Sequence, residues 1–272
     1  MQVYRGMDVG TAKPSIEERH RIVHHMIDVV DAGEDYSVAE FQRAGRAALA
    51  TAIGRDVPVI IVGGSGLHFR ALVDPLEFPP RDPSVRAMVD ALHDAEATAQ
   101  LLSADPEAGD HVDLGNPRRV QRAVEILRLG GAPPSVRAAS LAAQAVRAYR
   151  SEYSFVALGL DSGEGLRVRA GERMDAMFEA GLLDEVTDLM PRLGRNAGQA
   201  VGYKELIPVL MGELDLATGR QNAIDATERL AKRQRTFFRR DPRIRWLPWS
   251  GDPASRYRSA REVLERTSAW IS

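Results

Sequence analysis

Cysteine is absent from the 272 residues, lysine occurs three times, and aromatic residues make up only 6%. Without cysteine there is no disulfide scaffold, no thiol nucleophile and no Cys-ligated zinc or iron–sulfur site. No stretch approaches the roughly 18 uninterrupted apolar residues of a membrane span, and the opening MQVYRGMDVG lacks the apolar core of a signal peptide. No G-x-x-x-x-G-K-[ST] loop occurs. Gly6–Pro14 is superficially like one, but the spacing is wrong and Pro14, after Lys13, has no backbone N–H to offer. An excess of one charge sign is missing too. Thirty-six Lys and Arg against 38 Asp and Glu leave a net −2, which excludes a disordered polyelectrolyte and a globally basic nucleic-acid coat. With 44% apolar residues the chain can bury a core, as one large α/β domain or two smaller ones. A reducing, cytoplasmic setting is the default.

The basic residues are unevenly placed. Between Glu228 and Arg245 stand Arg229, Lys232, Arg233, Arg235, Arg239, Arg240, Arg243 and Arg245, opposed only by Glu228 and Asp241. Such a run on a neutral body is the footprint of a polyanion site, or else a solvated helix face in an arginine-rich chain. Val57–Val62 (VPVIIV), continuous, apolar and mostly β-branched, predicts a buried parallel strand ending at Gly63-Gly64. Met26–Val30, Phe155–Leu160 and Ile244–Leu247 are further strand candidates. Helical patterns cover Val38–Ile53, Ser84–Leu102, Pro117–Leu129, Leu166–Leu193 and Gln221–Phe238. Alternating strands and helices imply an α/β parallel sheet. The stretch 79–147 has helix signals only and reads as a helical insertion, leaving 1–78 and 148–272 as the α/β core.

Asn116 as N-cap and Pro117 at the first helical position start a helix that Gly130-Gly131 stops. At 100° per residue Arg118, Arg119 and Arg122 share one arc, opposite Val120, Val124 and Leu127. Lys232, Arg235 and Arg239 share a face of a later helix. Guanidiniums suit phosphate because the planar fork bonds two oxygens at once. Gly63-Gly64-Ser65-Gly66, between a strand and a helix, could present backbone N–H groups to an anion or be a plain turn. His20, His24 and His25 lack a matching carboxylate spacing, so they read as surface or packing residues rather than a metal site.

Six blocks carry a resemblance: Gln2–Pro14, His24–Ala44, Val62–Leu72, Asn116–Ile126, Ala200–Leu206 and Leu230–Asp241. In this order they resemble the tRNA dimethylallyltransferase (tRNA isopentenyltransferase) family over essentially the whole chain. The resemblance implies a P-loop-NTPase-like parallel sheet with an all-helical, tRNA-binding insertion. It implies transfer of a dimethylallyl group from dimethylallyl diphosphate to the 6-amino group of the adenosine 3′-adjacent to the anticodon. Mg²⁺ and a phosphate loop would hold the diphosphate, an Asp would activate the amine, and the base would be flipped into a channel. The protein would act as a monomer on a tRNA anticodon stem-loop.

Residue by residue, the resemblance puts Ser65 where the family usually has Thr, contacting the reacting centre or the tRNA, and His68 where it has Tyr. Arg173 resembles the diphosphate-side arginine. Gln2, Arg86, Arg118, Arg119, Val120, Gln121, Arg122, Gln199, Ala200, Val201, Gly202, Tyr203, Lys204, Lys232 and Arg235 are implied tRNA contacts, with Gly63 and Gly64 near the diphosphate. His111–Gly115 departs from the family's usual approach to Asn116-Pro117.

The resemblance also implies a first strand, a phosphate loop of the G-x-T-x-x-G-K-[ST] kind, a helix and an Asp-Ser pair ahead of Gln2. A strand–loop–helix unit of that sort takes on the order of 30–45 residues. The sheet is therefore expected to lack its first strand, and the 272 residues to be inactive and poorly stable while keeping salt-sensitive tRNA binding. A start assigned too far downstream accounts for this; a non-catalytic tRNA-binding paralogue is the alternative. A small-molecule nucleotide kinase fits worse, since it too needs the phosphate loop.

Overall fold

The computed structural model describes residues 1–161 and 163–267. They divide into two compact units, one formed by residues 1–72 with 154 onward, the other by 73–153. The helical unit is thus wider at each end than the 79–147 read from the sequence.

In chain order the helices are α1 (Ile16–Arg21), α2 (Val38–Ile53), α3 (Gly66–Val73), α4 (Pro83–Asp90), α5 (Asp94–Ala104), α6 (Pro117–Arg128), α7 (Pro134–Ala139) and α8 (Leu141–Arg147). Strand β1 (Ala157–Leu160) follows, then α9 (Leu166–Glu179), α10 (Leu182–Leu189), α11 (Tyr203–Leu210), α12 (Leu216–Phe238), β2 (Ile244–Leu247) and α13 (Pro253–Glu265). Local chemistry sets most of these limits. Ser15 with Glu18 and Ser37 with Glu40 form reciprocal capping boxes at the starts of α1 and α2. Asp215 accepts from the Thr218 N–H and so begins α12 five residues before the apolar pattern does. Gly181 (φ +91°) breaks the expected Leu166–Leu193 helix into α9 and α10, a conformation that β-carbon-bearing residues resist. Asn116 precedes α6 as expected, but its side chain makes no capping bond. At the other end Gly130 (φ +74°) lets the Gly131 N–H reach Ile126 O at 2.9 Å.

β1 and β2 pair in parallel, Ala157 opposite Ile244 through Leu160 opposite Leu247. Tyr4 and Val30 form an isolated parallel bridge instead of the strand expected over Met26–Val30, because Met26 (φ +64°) and Asp28 (φ +55°) turn the backbone out of the extended region. Val57–Val62 is a further correction. No strand forms there among the described residues, and Ile60 and Val62 are 76% and 89% exposed. A continuous apolar strand needs pairing on both edges and cover on both faces. No described strand pairs with it.

The main core of the first unit is therefore helical. Tyr4, Met7, Met174, Leu182, Val186, Leu189, Tyr203 and Leu206 pack together, joining the N-terminal loop to α9, α10 and α11. The helical unit has its own core of Val89, Leu101, Val120, Ala123 and Val124. Among the described residues no helix is long and apolar enough to cross a membrane.

Candidate functional site

Residues 1–14 form a loop closed by its own side chains. The Gln2 amide donates to Thr11 O and Ala12 O, both at 3.0 Å. The Lys13 side chain is 1% exposed, and its ammonium donates to Tyr4 O (2.6 Å), Asp8 Oδ1 (2.7 Å) and Asp28 Oδ1 (2.5 Å). Arg19 reaches the other Asp28 oxygen at 2.6 Å. Burial alone would push the Asp28 carboxyl up; the Lys13 and Arg19 hydrogen bonds outweigh it and hold the group below its ordinary 3.8. A carboxyl lowered in the folded state stabilises above its unfolded value, and that stabilisation is lost as pH falls through the folded one. Urea midpoints at pH 6 and pH 3 are thus expected to differ less in Asp28→Asn than in the parent. An equal difference would remove Asp28 from the acid response.

One carboxylate holds this loop against the helical core. Glu185 on α10 accepts the N–H groups of Asp8 (2.8 Å), Val9 (2.7 Å) and Gly10 (3.0 Å), and the Tyr203 hydroxyl as well. Tyr203 is wholly buried; burial first and Glu185 second push its phenol far above the ordinary range. Gly10 lies flat on that ring, where a β-carbon would stand 2.5 Å from it.

Beside the loop is a cleft of about 440 Å³. Its walls are Val9, Ala12, Pro14 and Ile16 on one side and Ala176, Met177 and Ala180 on the other, with Asp8, Lys13, Ser15, Arg19 and Arg173 as its polar residues. Arg173 is exposed and makes no ion pair among the described residues. Ser65 is not in this lining. Its Oγ hydrogen-bonds His68 Nδ1 at 2.7 Å, and Phe41 meets the imidazole edge-on at 4.6 Å. Burial first and the Met1 ammonium second push His68 below its ordinary 6.5, so the ring is neutral at pH 7. The Met1 ammonium also feels Lys13.

Gly63 is exposed with nothing near it, and Gly64 packs against the Gln234 amide. Gly66 abuts Phe237 so closely that a β-carbon would fall 2.1 Å from the ring. The Gly-rich loop is thus seated on α12. Among the described residues no three His, Cys, Asp or Glu side chains converge on a common point. Asp8, which lines the cleft, and neighbouring Asp28 are both turned onto Lys13.

The cationic residues read as RNA contacts have different fates. Arg118 on α6 and Lys204 on α11 are exposed, as is Gln199, while Gln121 is half-buried and bonded to Arg86. Arg119 is exposed near Asp113 at 3.6 Å. Arg122 turns inward: it donates to Pro79 O and Pro80 O and pairs with the buried Glu125 at 2.9 Å. Arg86 reaches the same carboxylate at 3.6 Å and pairs with Asp90. Val120, Ala200, Gly202 and Tyr203 are buried and Val201 is half-buried, so the side chains of Val120, Ala200 and Tyr203 serve the units' own cores. Arg235 and Arg239 both lean on Asp161, at 3.6 and 2.7 Å, whereas Lys232 has no partner among the described residues. Sequence reasoning missed Glu185, which carries no motif of its own, and the pairing of Ser65 with His68. Lys13, a rare lysine in an arginine-rich chain, was the one visible hint of the buried cluster.

A small parallel sheet among many helices, with a loop-bound cleft and exposed arginines, defines a helix-rich α/β protein. The family model described as IPP transferase matches residues 2–241, and the chain belongs to that family. It is 42% identical to a tRNA dimethylallyltransferase of Acidothermus cellulolyticus, over 97% of this chain and 83% of that protein. Identity to a Streptomyces coelicolor protein of the same name is 40%, over 97% and 84%. Among solved structures, the tRNA isopentenylpyrophosphate transferase of Bacillus halodurans superposes with a TM-score of 0.67 at 32% identity, covering 97% of this chain and 84% of its own. A eukaryotic dimethylallyltransferase acting on tRNA shares the fold, with a TM-score of 0.78 at 21% identity over 98% and 71%.

Proposed function

We propose that this fold serves transfer of a dimethylallyl group from dimethylallyl diphosphate to the 6-amino group of the adenosine 3′-adjacent to the anticodon of tRNA. The observation that carries the reading is the family match, which runs through nearly every element of the first unit and all of the helical one. The cleft supports it chemically. An unpaired guanidinium at Arg173 facing Val9, Ile16 and Met177 suits a short apolar group attached to a diphosphate. Ser65 and neutral His68, close to Met1, are placed to accept hydrogen bonds from an incoming base edge. Mg²⁺ would arrive on the diphosphate oxygens, since Asp8 and Asp28 are committed to Lys13.

We further propose that the 272 residues, as a polypeptide, do not catalyse the transfer. They include no phosphate loop, and an aryl amine is a weak nucleophile without a positioned proton acceptor. The polypeptide is therefore proposed to hold tRNA as a monomer without turning it over. The test is to incubate it with tRNA, dimethylallyl diphosphate and Mg²⁺, then measure filter retention of the RNA and prenyl-adenosine in the nucleoside digest. Retention without product is expected. Product would overturn the inactivity, and absence of retention at low salt would overturn the tRNA reading itself.

A further inference from the structure

We infer that His68 sets the base specificity of the site by fixing the direction in which the Ser65 hydroxyl gives its proton; the inference rests on the adenosine reading above and names the residue that enforces it. Ser65 Oγ lies 2.7 Å from His68 Nδ1 and has no other side-chain partner among the described residues. A neutral imidazole has one nitrogen that accepts and one that donates. The accepting nitrogen is a stronger base than a hydroxyl oxygen, so it draws the hydroxyl proton. The 2.7 Å separation is also short for an N–H donor, whose usual span is about 2.9–3.0 Å. Ser65 therefore donates to His68, and its exposed oxygen turns only lone pairs outward.

An oxygen that can only accept suits the 6-amino group of adenosine, which donates. It repels a 6-oxo purine, whose oxygen is itself an acceptor. The pair thus accepts from the base at one atom, Ser65 Oγ, with His68 behind it as a positioning residue. The Tyr that the resemblance implies at this position would both donate and accept, and so would fix no direction. The surroundings of His68 hold it in the neutral state that the argument needs. Phe41 faces it from α2, Ser65 from the start of its own helix, and the Met1 ammonium from the chain start. Burial first and that ammonium second keep the ring unprotonated down to below its ordinary 6.5. Protonation would place a hydrogen on Nδ1, reverse the bond and free the Ser65 hydroxyl to donate outward.

The experiment uses anticodon stem-loops carrying adenosine, purine riboside or inosine 3′ to the anticodon. Their binding to the full chain is measured at low salt and pH 7, with thermal unfolding as the folding control. The parent is expected to bind the adenosine form about tenfold more tightly than the inosine form, with purine riboside between them. His68→Phe keeps an aromatic ring against Phe41 but leaves the Ser65 proton unclaimed. It should melt as the parent does, and the ratio should fall below about threefold because inosine gains. Ser65→Ala should lose the preference through adenosine alone, with no gain for inosine. Nitrogen NMR of the imidazole needs no variant: at pH 7 Nδ1 should resonate as a nitrogen without hydrogen. A protonated Nδ1 there would overturn the proposal. So would a folded His68→Phe with the parent ratio, or a parent that binds all three forms equally; each leaves the tRNA reading standing. Failure of the parent to bind any of the three stem-loops would overturn that reading as well.

Discussion

Glu185→Ala is expected to cost about 4 kcal/mol of unfolding free energy, the largest single effect outside the apolar core. One carboxylate satisfies three consecutive N–H groups, those of Asp8, Val9 and Gly10, together with the hydroxyl of fully buried Tyr203. Hydrogen bonds to a charged acceptor contribute about 1.5–3 kcal/mol each, and losses in one network do not simply add. Water can reach the Asp8 N–H after truncation, but the Tyr203 hydroxyl is left in the core with no acceptor. Tyr203→Phe removes the donor instead of the acceptor and should cost about 2 kcal/mol. In the double variant the two losses should overlap, with a coupling of about 1 kcal/mol or more. Urea denaturation followed by circular dichroism checks all three. A Glu185→Ala cost under about 1 kcal/mol would mean that the loop is held by something else.

The second large effect falls in the helical unit. Arg122→Ala is expected to destabilise it by about 3 kcal/mol, the usual consequence of leaving a buried charge without its partner. Glu125 is 2% exposed; Arg122 is its 2.9 Å partner, while Arg86 stands off at 3.6 Å and is shared with Asp90. The same guanidinium also satisfies Pro79 O and Pro80 O. Arg118→Ala, one turn earlier and exposed, should leave stability within about 0.5 kcal/mol. Thermal melts separate the two residues. Equal melting temperatures for Arg122→Ala and the parent would return Arg122 to the free RNA-facing set.

Much of this was readable in the chain, for physical reasons that differ by element. The helix over Val38–Ile53 and the Gly130-Gly131 stop are local chemistry and lie where the sequence places them, whereas the short helix capped by Ser15 carried no apolar pattern to announce it. Ile244–Leu247 reads as a strand and pairs as one. Val57–Val62 has the stronger strand composition, yet composition cannot supply a partner, and pairing is a property of the whole sheet. The arginine arc on α6 was geometrically right but incomplete, because Glu125 stands three residues after Arg122 and competes with any phosphate for it. The same holds for Asp161, far away in the chain, which takes Arg235 and Arg239. Periodicity shows which face a charge is on; it does not show which distant acid has claimed it. Glu185 illustrates the limit, since its partners at Asp8–Gly10 are about 175 residues away.

The most direct measurement is photo-crosslinking of the 272-residue protein to an anticodon stem-loop carrying an azido-adenosine at the position 3′ to the anticodon. Adducts are expected in the peptides holding Gln2–Lys13 or Ser65–His68, and they should weaken when the azide is moved to the stem. Adducts confined to other peptides, or indifferent to the position of the azide, would contradict an adenosine site beside Met1.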